Sequence, residues 1–500
     1  MIGVLCDNLQ VTIMRTFRKT GRIMRLNSLI FILGTAWMVL GNKAVITAAG
    51  SGQAGQGNPG KPVAVMLTSY STTLLANGKD SSRLRIAITD SSMHEIGSAT
   101  DSIRIFISGD GKLTSPNGKA LALRSDTGGE KYASCRLTDG TCYLLLKSGT
   151  KPGKIKLEAR SGKLWPGSHE IHTLPAGFVM MKPTPEQLPP TNKPIGRMIG
   201  ADISFLPQIE NRGETFYQKG KPRDAIELLR DHGFNYIRLR IFVNPANKNG
   251  YSPGTGYCGL KHTLAMARRI SEAGMKLLLD FHYSDYWADP QQQNKPLAWE
   301  TLDFKTLKDS LEAYTSHVLL ALKKQGTMPA MVQVGNEINH GILWPDGHIG
   351  HPDQLADLLK AGIKGVRAVA GDIPVMLHIA LGGQNEEAVF WLDNMIARGV
   401  QFDIIGLSYY PRWHGTLADL KNNLADLANR YNKPLNVVEY SDFKREVHDI
   451  IFSLPGGMGK GACIWEPLDQ RSGLFDSKGE ATDLFTTYDE IKDKYLTSQY

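Results

Sequence analysis

Cysteine is scarce in this 500-residue chain, with five in all. None stands in a Cys-x-x-Cys pair or beside clustered histidines, so no zinc site is suggested, and no other metal or cofactor is expected. A dense basic run is also lacking. The net charge of +8 is concentrated at the start, where Arg15, Arg18, Lys19, Arg22, Arg25 and Lys43 face only Asp7, a local excess of +5. The remaining +3 is spread thinly, which argues against a nucleic-acid partner. Long apolar runs are missing as well. The stretch at 26–40, "LNSLIFILGTAWMVL", is shorter than the ~20 residues of a membrane span. With the basic segment before it and small residues at Thr47–Ala49, it reads as a secretory signal over residues 1–49. Met14 and Met24 are alternative starts, and a membrane anchor is the competing reading. Export is expected, to the cell surface, the periplasm or the medium.

What is present is an ordinary globular composition, 42% hydrophobic and 21% charged, in a chain long enough for two domains or more. Residues 50–60, "GSGQAGQGNPG", form a flexible spacer. From 61 to 178 short alternating runs such as "VAVMLTSY", "RLRIAITD" and "SIRIFISG" are split by turn signals, which predicts an antiparallel β-sandwich. Cys135 and Cys142 bracket a turn there and are candidates for a disulfide in an oxidising compartment, while Cys258 and Cys463 are expected to be free. Residues 179–195 are proline-rich and read as a semi-rigid linker.

After the linker the rhythm changes. Eight strand-like runs, at 198–204, 235–242, 275–282, 331–337, 374–380, 402–410, 435–441 and 461–467, alternate with amphipathic stretches such as "LKHTLAMARRISEAG". That pattern predicts a (β/α)8 TIM barrel over 196–500, where the C-terminal strand ends carry the chemistry. A doubly wound sheet is the alternative, but no Gly-x-Gly-x-x-Gly turn follows the first strand.

The strand ends carry Asp202, Arg238 with Arg240, Asp280 with His282, Asn336 with Glu337, His378, Tyr409 with Tyr410, Glu439, and Trp465 with Glu466. Glu337 after the fourth strand and Glu439 after the seventh are candidates for a pair of carboxyls about 5–5.5 Å apart, the spacing of retaining glycoside hydrolysis. One must stay protonated to serve as acid. The other must stay ionised to attack, with Arg238 as the charge beside it. Asn336 is expected to reach a ring hydroxyl. Trp287 and Trp465 are either sugar platforms or core aromatics, and Asp285 and Asp289 either loop caps or sugar contacts. His282 and His378 are given supporting roles. Strand alternation turns Tyr410 rather than Tyr409 to the sugar, in phase with Ser408.

The stretches "GADIS", "LLRDHGFNYIRLRIFVNP", "AGMKLLLDFHYSDYWADP", "MVQVGNEINHGILWP", "VMLHIALGG", "IIGLSYYPRWHGTL" and "VVEYS" resemble family 53 glycoside hydrolases, the arabinogalactan endo-β-1,4-galactanases. The resemblance implies Glu337 as acid/base, Glu439 as nucleophile and Arg238 as the arginine beside the nucleophile, while Asp202, Arg238, His282, Trp287, Asn336, His378, Tyr410 and Trp465 are expected from their places at or just past the strand ends to line the substrate site. The implied partner is β-1,4-galactan of plant pectin. Two departures stand out: "VVEYSDFK" replaces the family's usual continuation, and only 26 positions (465 − 439) separate Glu439 from Trp465. The late loop also lacks the acidic residues with which some members hold calcium. Residues 71–113 resemble bacterial immunoglobulin-like modules, which could bind glycan, pack against the barrel or act as a spacer, a spacer role being the first expectation. A mannanase- or cellulase-like hydrolase and a non-catalytic glycan-binding protein are the alternatives in function.

Overall fold

A computed structural model describes residues 60–469 and 472–497, so the expected signal segment lies outside the described residues. No helix among the described residues is long and apolar enough to cross a membrane. The first β-rich part is a sandwich of two sheets. One orders the strands Ala64–Ser69, Ser81–Thr89, Thr141–Ser148 and Gly111–Thr114; the other is built around Gly167–Pro175, Gly153–Arg160 and Ser102–Ser108. Alternation drives it: in Gly153–Arg160, Ile155, Leu157 and Ala159 are buried while Lys154 and Lys156 face out. Cys135 and Cys142 are free thiols in this structure, close enough to hydrogen-bond to each other.

Eight parallel strands then close a barrel: β1 Met198–Asp202, β2 Tyr236–Ile241, β3 Lys276–Phe281, β4 Met331–Val334, β5 Val375–Ile379, β6 Ile404–Tyr409, β7 Leu435–Tyr440 and β8 Gly459–Trp465. One face of each strand packs outward on the helices, through residues such as Ile237, Leu279, Val332 and Leu407. The other face points into the barrel. Its floor is apolar, made by Met198, Tyr236, Leu278, Met331, Met376, Ile404, Val438 and Cys463. Two residues further along several strands the same face turns polar: Leu278 leads to Asp280, Met331 to Gln333, Met376 to His378. The period of two carries each strand from a sealed floor to a charged mouth.

The sandwich does not stand off from the barrel. Pro59–Tyr500 forms one compact unit, and sandwich and barrel hydrogen-bond directly to each other, the Thr72 amide to Glu387 and Arg412 of the barrel to the carbonyl of Pro166. The proline-rich segment is laced along the barrel too: the Met181 amide donates to Asn394 at 3.1 Å and Thr191 to the Asp403 carbonyl at 2.6 Å. Of the roles expected for the module, the contacts match packing against the barrel rather than the spacer placed first. The polar side chains that dock the module are scattered single residues with no periodicity to betray them.

Candidate active site

Simple alternation along β7 would turn Val438 inward and Glu439 outward. Both in fact reach the interior, because the pairing register of β7 slips against both neighbours around Val437–Tyr440. A bulge of this kind re-aims one side chain at the cost of a ladder bond. Glu337 gets inward by another route. β4 ends at Val334, Gly335 follows at φ 84°, and Glu337 itself takes a left-handed backbone at φ 48°, ψ 52°. For a non-glycine residue that conformation costs about 1–2 kcal/mol, a cost borne at the residue expected to do chemistry.

The two carboxylates meet over the mouth. One oxygen of each, and one nitrogen of His378, lie within 4.8 Å of one another. These three groups could share a metal ion, but each is already committed to protein partners. Glu439 accepts from Tyr410 Oη at 2.7 Å and from Arg238 Nη1 at 3.0 Å. Glu337 accepts from Ser408 Oγ at 2.6 Å, and Ser408 lies 2.7 Å from His378 Nε2.

Arg238 is the hub. Its Nη1 also reaches Asp202 at 3.0 Å, its Nη2 reaches Asp280 at 2.9 Å and Asn336 Oδ1 at 2.8 Å, and its Nε reaches Gln333 at 3.3 Å. All five guanidinium hydrogens have an acceptor, so the plane of the fork is fixed. Burial pushes Asp280 up, but Arg238 and His282 pull it below the usual carboxylate range.

The environments of the pair differ accordingly. Burial, then the charge of Glu439, lifts Glu337 well above the ordinary glutamate value, against the opposing hydrogen bond from Ser408 and the weaker pull of Arg238. Burial also raises Glu439, but Arg238 and Tyr410 oppose it. A single proton shared by the pair therefore resides on Glu337. Burial and Arg238 keep His378 neutral, its pKa far below the usual histidine value.

The mouth brings together Glu337, Glu439, Arg238, Asn336 and Tyr410. Asp202, His282 and His378, expected to contact sugar, instead lie beneath the surface with their polar atoms spent on protein. Asp202 holds Arg238 and accepts from Ser204 at 2.7 Å; His282 bonds Asp280 at 3.0 Å and the Ala288 amide at 3.0 Å. The Asn336 amide donates to the Ala288 carbonyl at 2.9 Å, leaving one hydrogen uncommitted. Asp285 and Asp289 fold their own loops, accepting from Asn244 and Leu297 and from Gln291 and Gln292. Tyr409 points into the core. Trp287 and Trp465, both partly exposed, stand on either side of Phe205 at 6.1 and 6.2 Å. Beneath them Arg240 lies 4.4 Å from the Phe205 ring and 4.2 Å from Trp287, paired with Glu466 at 2.6 Å. Ser408, Gln333 and Phe205 escaped the sequence reading. Only Ser408 carried a signal, its place two residues before Tyr410.

The profile of glycosyl hydrolase family 53 matches residues 198–468, and that of glycoside hydrolase family 2 C-terminal domain 5 matches 65–170. The barrel is 38% identical over 245 residues to an endo-beta-1,4-galactanase of Bacillus subtilis, covering 48% of this chain and 56% of that protein. It is 38% identical over 252 residues to an arabinogalactan endo-beta-1,4-galactanase of Cellvibrio japonicus, covering 48% and 64%. The chain thus spans less than two thirds of either relative. Among solved structures, the GH53 catalytic domain of Ignisphaera aggregans aligns with a TM-score of 0.55 at 30% identity, covering 62% of this chain and 99% of that one. The matched segment holds every strand of the barrel and both carboxylates, and on that ground the chain belongs to glycosyl hydrolase family 53.

Proposed function

We propose that this protein is an exported endo-β-1,4-galactanase that cleaves β-1,4-galactan by double displacement with retention. The observation that carries the reading is the asymmetric pair: Glu337, whose environment keeps a proton, beside Glu439, held by Arg238 and Tyr410. Oxygens within 4.8 Å suit a nucleophile and leave no room for the intervening water of an inverting enzyme. Galactan as the substrate is supported by the Bacillus and Cellvibrio relatives, and export by the basic-then-apolar N-terminus.

In the first step a Glu439 oxygen attacks the anomeric carbon while Glu337 passes its proton to the departing glycosidic oxygen. The aglycone leaves as an alcohol, and a glycosyl ester forms on Glu439. That esterification removes the charge which had raised Glu337, so its pKa falls as it becomes the base for the second step. Water then attacks the same carbon, Glu337 takes its proton, and Glu439 leaves as carboxylate. Asn336 has one amide hydrogen to offer the adjacent ring hydroxyl. The Trp287–Phe205–Trp465 wall offers apolar faces to neighbouring sugar rings, and Arg240 stacked behind it fixes the angle of Trp287.

The test is reducing-sugar release from debranched β-1,4-galactan, with mannan and cellulose alongside, for wild type and Glu439→Ala. Release from galactan alone, abolished by the substitution, is expected. Activity on mannan or cellulose instead would discard the substrate, and turnover surviving in Glu439→Ala would discard the mechanism.

A further inference from the structure

The loop that presents Glu337 is strained and needs external support. Gly335, Glu337, Gly341 and Leu343 all have positive φ, at 84°, 48°, 104° and 50°. Such a backbone persists only where the surroundings over-determine it. Most of the ties come from the barrel: Gln293 donates to the Asn336 carbonyl at 2.8 Å, Trp391 to that of Ile338 at 3.0 Å, and Trp344 to that of His340 at 2.9 Å. The last side chain of the turn, His340, is different. It is buried, its Nδ1 bonds the Pro290 carbonyl at 2.8 Å, and the hydrogen bond and ring stack on its other side come from the sandwich. Thr72 Oγ1 lies 3.1 Å from His340 Nε2, and His172 stacks on the imidazole at 3.9 Å and 16°.

Glu387, just inside the helix Asn385–Ala397, completes the junction. The residue is 2% exposed, and among the described residues no lysine or arginine pairs with its carboxylate. Its hydrogen-bond partners belong to the sandwich: the Thr72 amide donates at 2.5 Å, Thr73 Oγ1 donates at 2.7 Å, and Thr72 Oγ1 lies at 2.8 Å. The proton arrangement follows from valence. A carbonyl only accepts, so His340 Nδ1 carries the ring hydrogen and Nε2 is a bare acceptor. The single Thr72 hydroxyl proton then serves His340, and Glu387 bonds Thr72 Oγ1 through a proton of its own. Burial supports that state, raising Glu387 and holding His340 at about 4. Inside the sandwich, Thr72 is fixed in turn, because its carbonyl accepts from the His172 amide at 2.7 Å.

We propose that the sandwich is a working part of the active site, and that the chain Glu387–Thr72–His340, backed by His172, positions the acid/base Glu337. The assignment rests on Glu337 being the acid. Thr72, His340 and Glu387 touch no substrate; they act through the backbone three residues downstream of the carboxyl that donates the proton.

The test compares kcat/KM of the full chain on two substrates: galactan, whose sugar leaving group needs a proton, and a 2,4-dinitrophenyl β-galactobioside, whose leaving group does not. Thr72→Val and Glu387→Leu are expected to lose about 10- to 100-fold on galactan, as a misplaced catalytic group does. On the aryl glycoside they should stay within about threefold of wild type. Glu387→Gln, which keeps an acceptor and a donor, should restore most of the loss seen with leucine. Tyr70→Phe removes another sandwich-to-barrel bond, the 3.4 Å contact with Asp419, and should leave both substrates unaffected. Equal losses on the two substrates, no loss in a folded Thr72→Val, or a leaving-group-dependent loss in Tyr70→Phe would each overturn the proposal. If Glu387→Leu fails to fold, Thr72→Val carries the comparison. Wild type inert on galactan would defeat the proposed function instead, before any variant is compared.

Discussion

Inside the sandwich Val65, Leu84, Ile86, Ile105, Leu146 and Ile171 are fully buried and wholly apolar, whereas the upper interior of the barrel buries Asp202, Arg238, Arg240, Asp280, Glu439 and Glu466. The first interior stabilises by removing hydrocarbon from water, at about 25 cal/mol per Å². The second has to overcome a desolvation cost of several kcal/mol for each ion before attraction contributes anything. The barrel sustains this because its stability comes from elsewhere, the apolar layer between strands and helices and the sealed floor. Its mouth is thereby released from packing and given over to holding charges in fixed positions, which is what transition-state stabilisation asks of it.

The largest expected departure between the two interiors is Glu439→Ala. Turnover of galactan should fall by about 10⁴-fold or more, in the range seen when a covalent nucleophile is removed. Yet the melting temperature should stay level or rise. Arg238 pairs with three acids, Asp202, Asp280 and Glu439, so deleting one leaves it still paired. A drop of several degrees in a thermal melt would mean that the mouth contributes to stability as the sandwich core does.

Next is Arg238→Lys. A lysine keeps the charge but cannot reproduce the five-way fork. With the cation less well placed, ionised Glu439 loses stabilisation and its pKa rises. The acid limb of the kcat/KM profile should therefore move to higher pH, with a loss near the plateau of about 100-fold. An unmoved acid limb would show that Tyr410 alone keeps Glu439 ionised.

How much of this mouth was legible beforehand differs by residue. The period-of-two strands gave the barrel and the list of strand ends, and Tyr410 over Tyr409 followed from alternation. Glu439 was legible as an acid at the end of a strand, although alternation alone would have turned it outward; the bulge that rescues it leaves no mark in "LNVVEYS". Asp202, His282 and His378 were seen as polar residues at the right height, but burial beneath a neighbour depends on side-chain reach across strands far apart in sequence. Glu387 and Thr72 were invisible for the same reason: 315 positions separate them.

A smaller effect is expected from Ser408→Ala. The hydroxyl opposes the lifting of Glu337, so its removal should raise that pKa further. Glu337 would then hold its proton to higher pH, and the alkaline limb of kcat/KM should shift upward with only a several-fold loss of kcat. A downward shift would mean that Ser408 accepts a hydrogen bond from the protonated acid rather than donating to the anion.

Ile105→Ala should affect turnover least of all. Ile105 is fully buried, paired with Ala133 and Ala159 in the middle of one sheet and away from Thr72 and His172. Emptying that position should cost about 2–5 kcal/mol of stability through lost transfer energy and a residual cavity. Measured well below the lowered melting temperature, kcat and KM on galactan should match wild type, because no hydrogen bond to the barrel passes through the side chain. If kcat fell while the protein remained folded, the sandwich would be transmitting its internal packing to Glu337 as a whole body. The support for the acid would then lie in the rigidity of the module, and the junction at Thr72 would be only one of its points of contact.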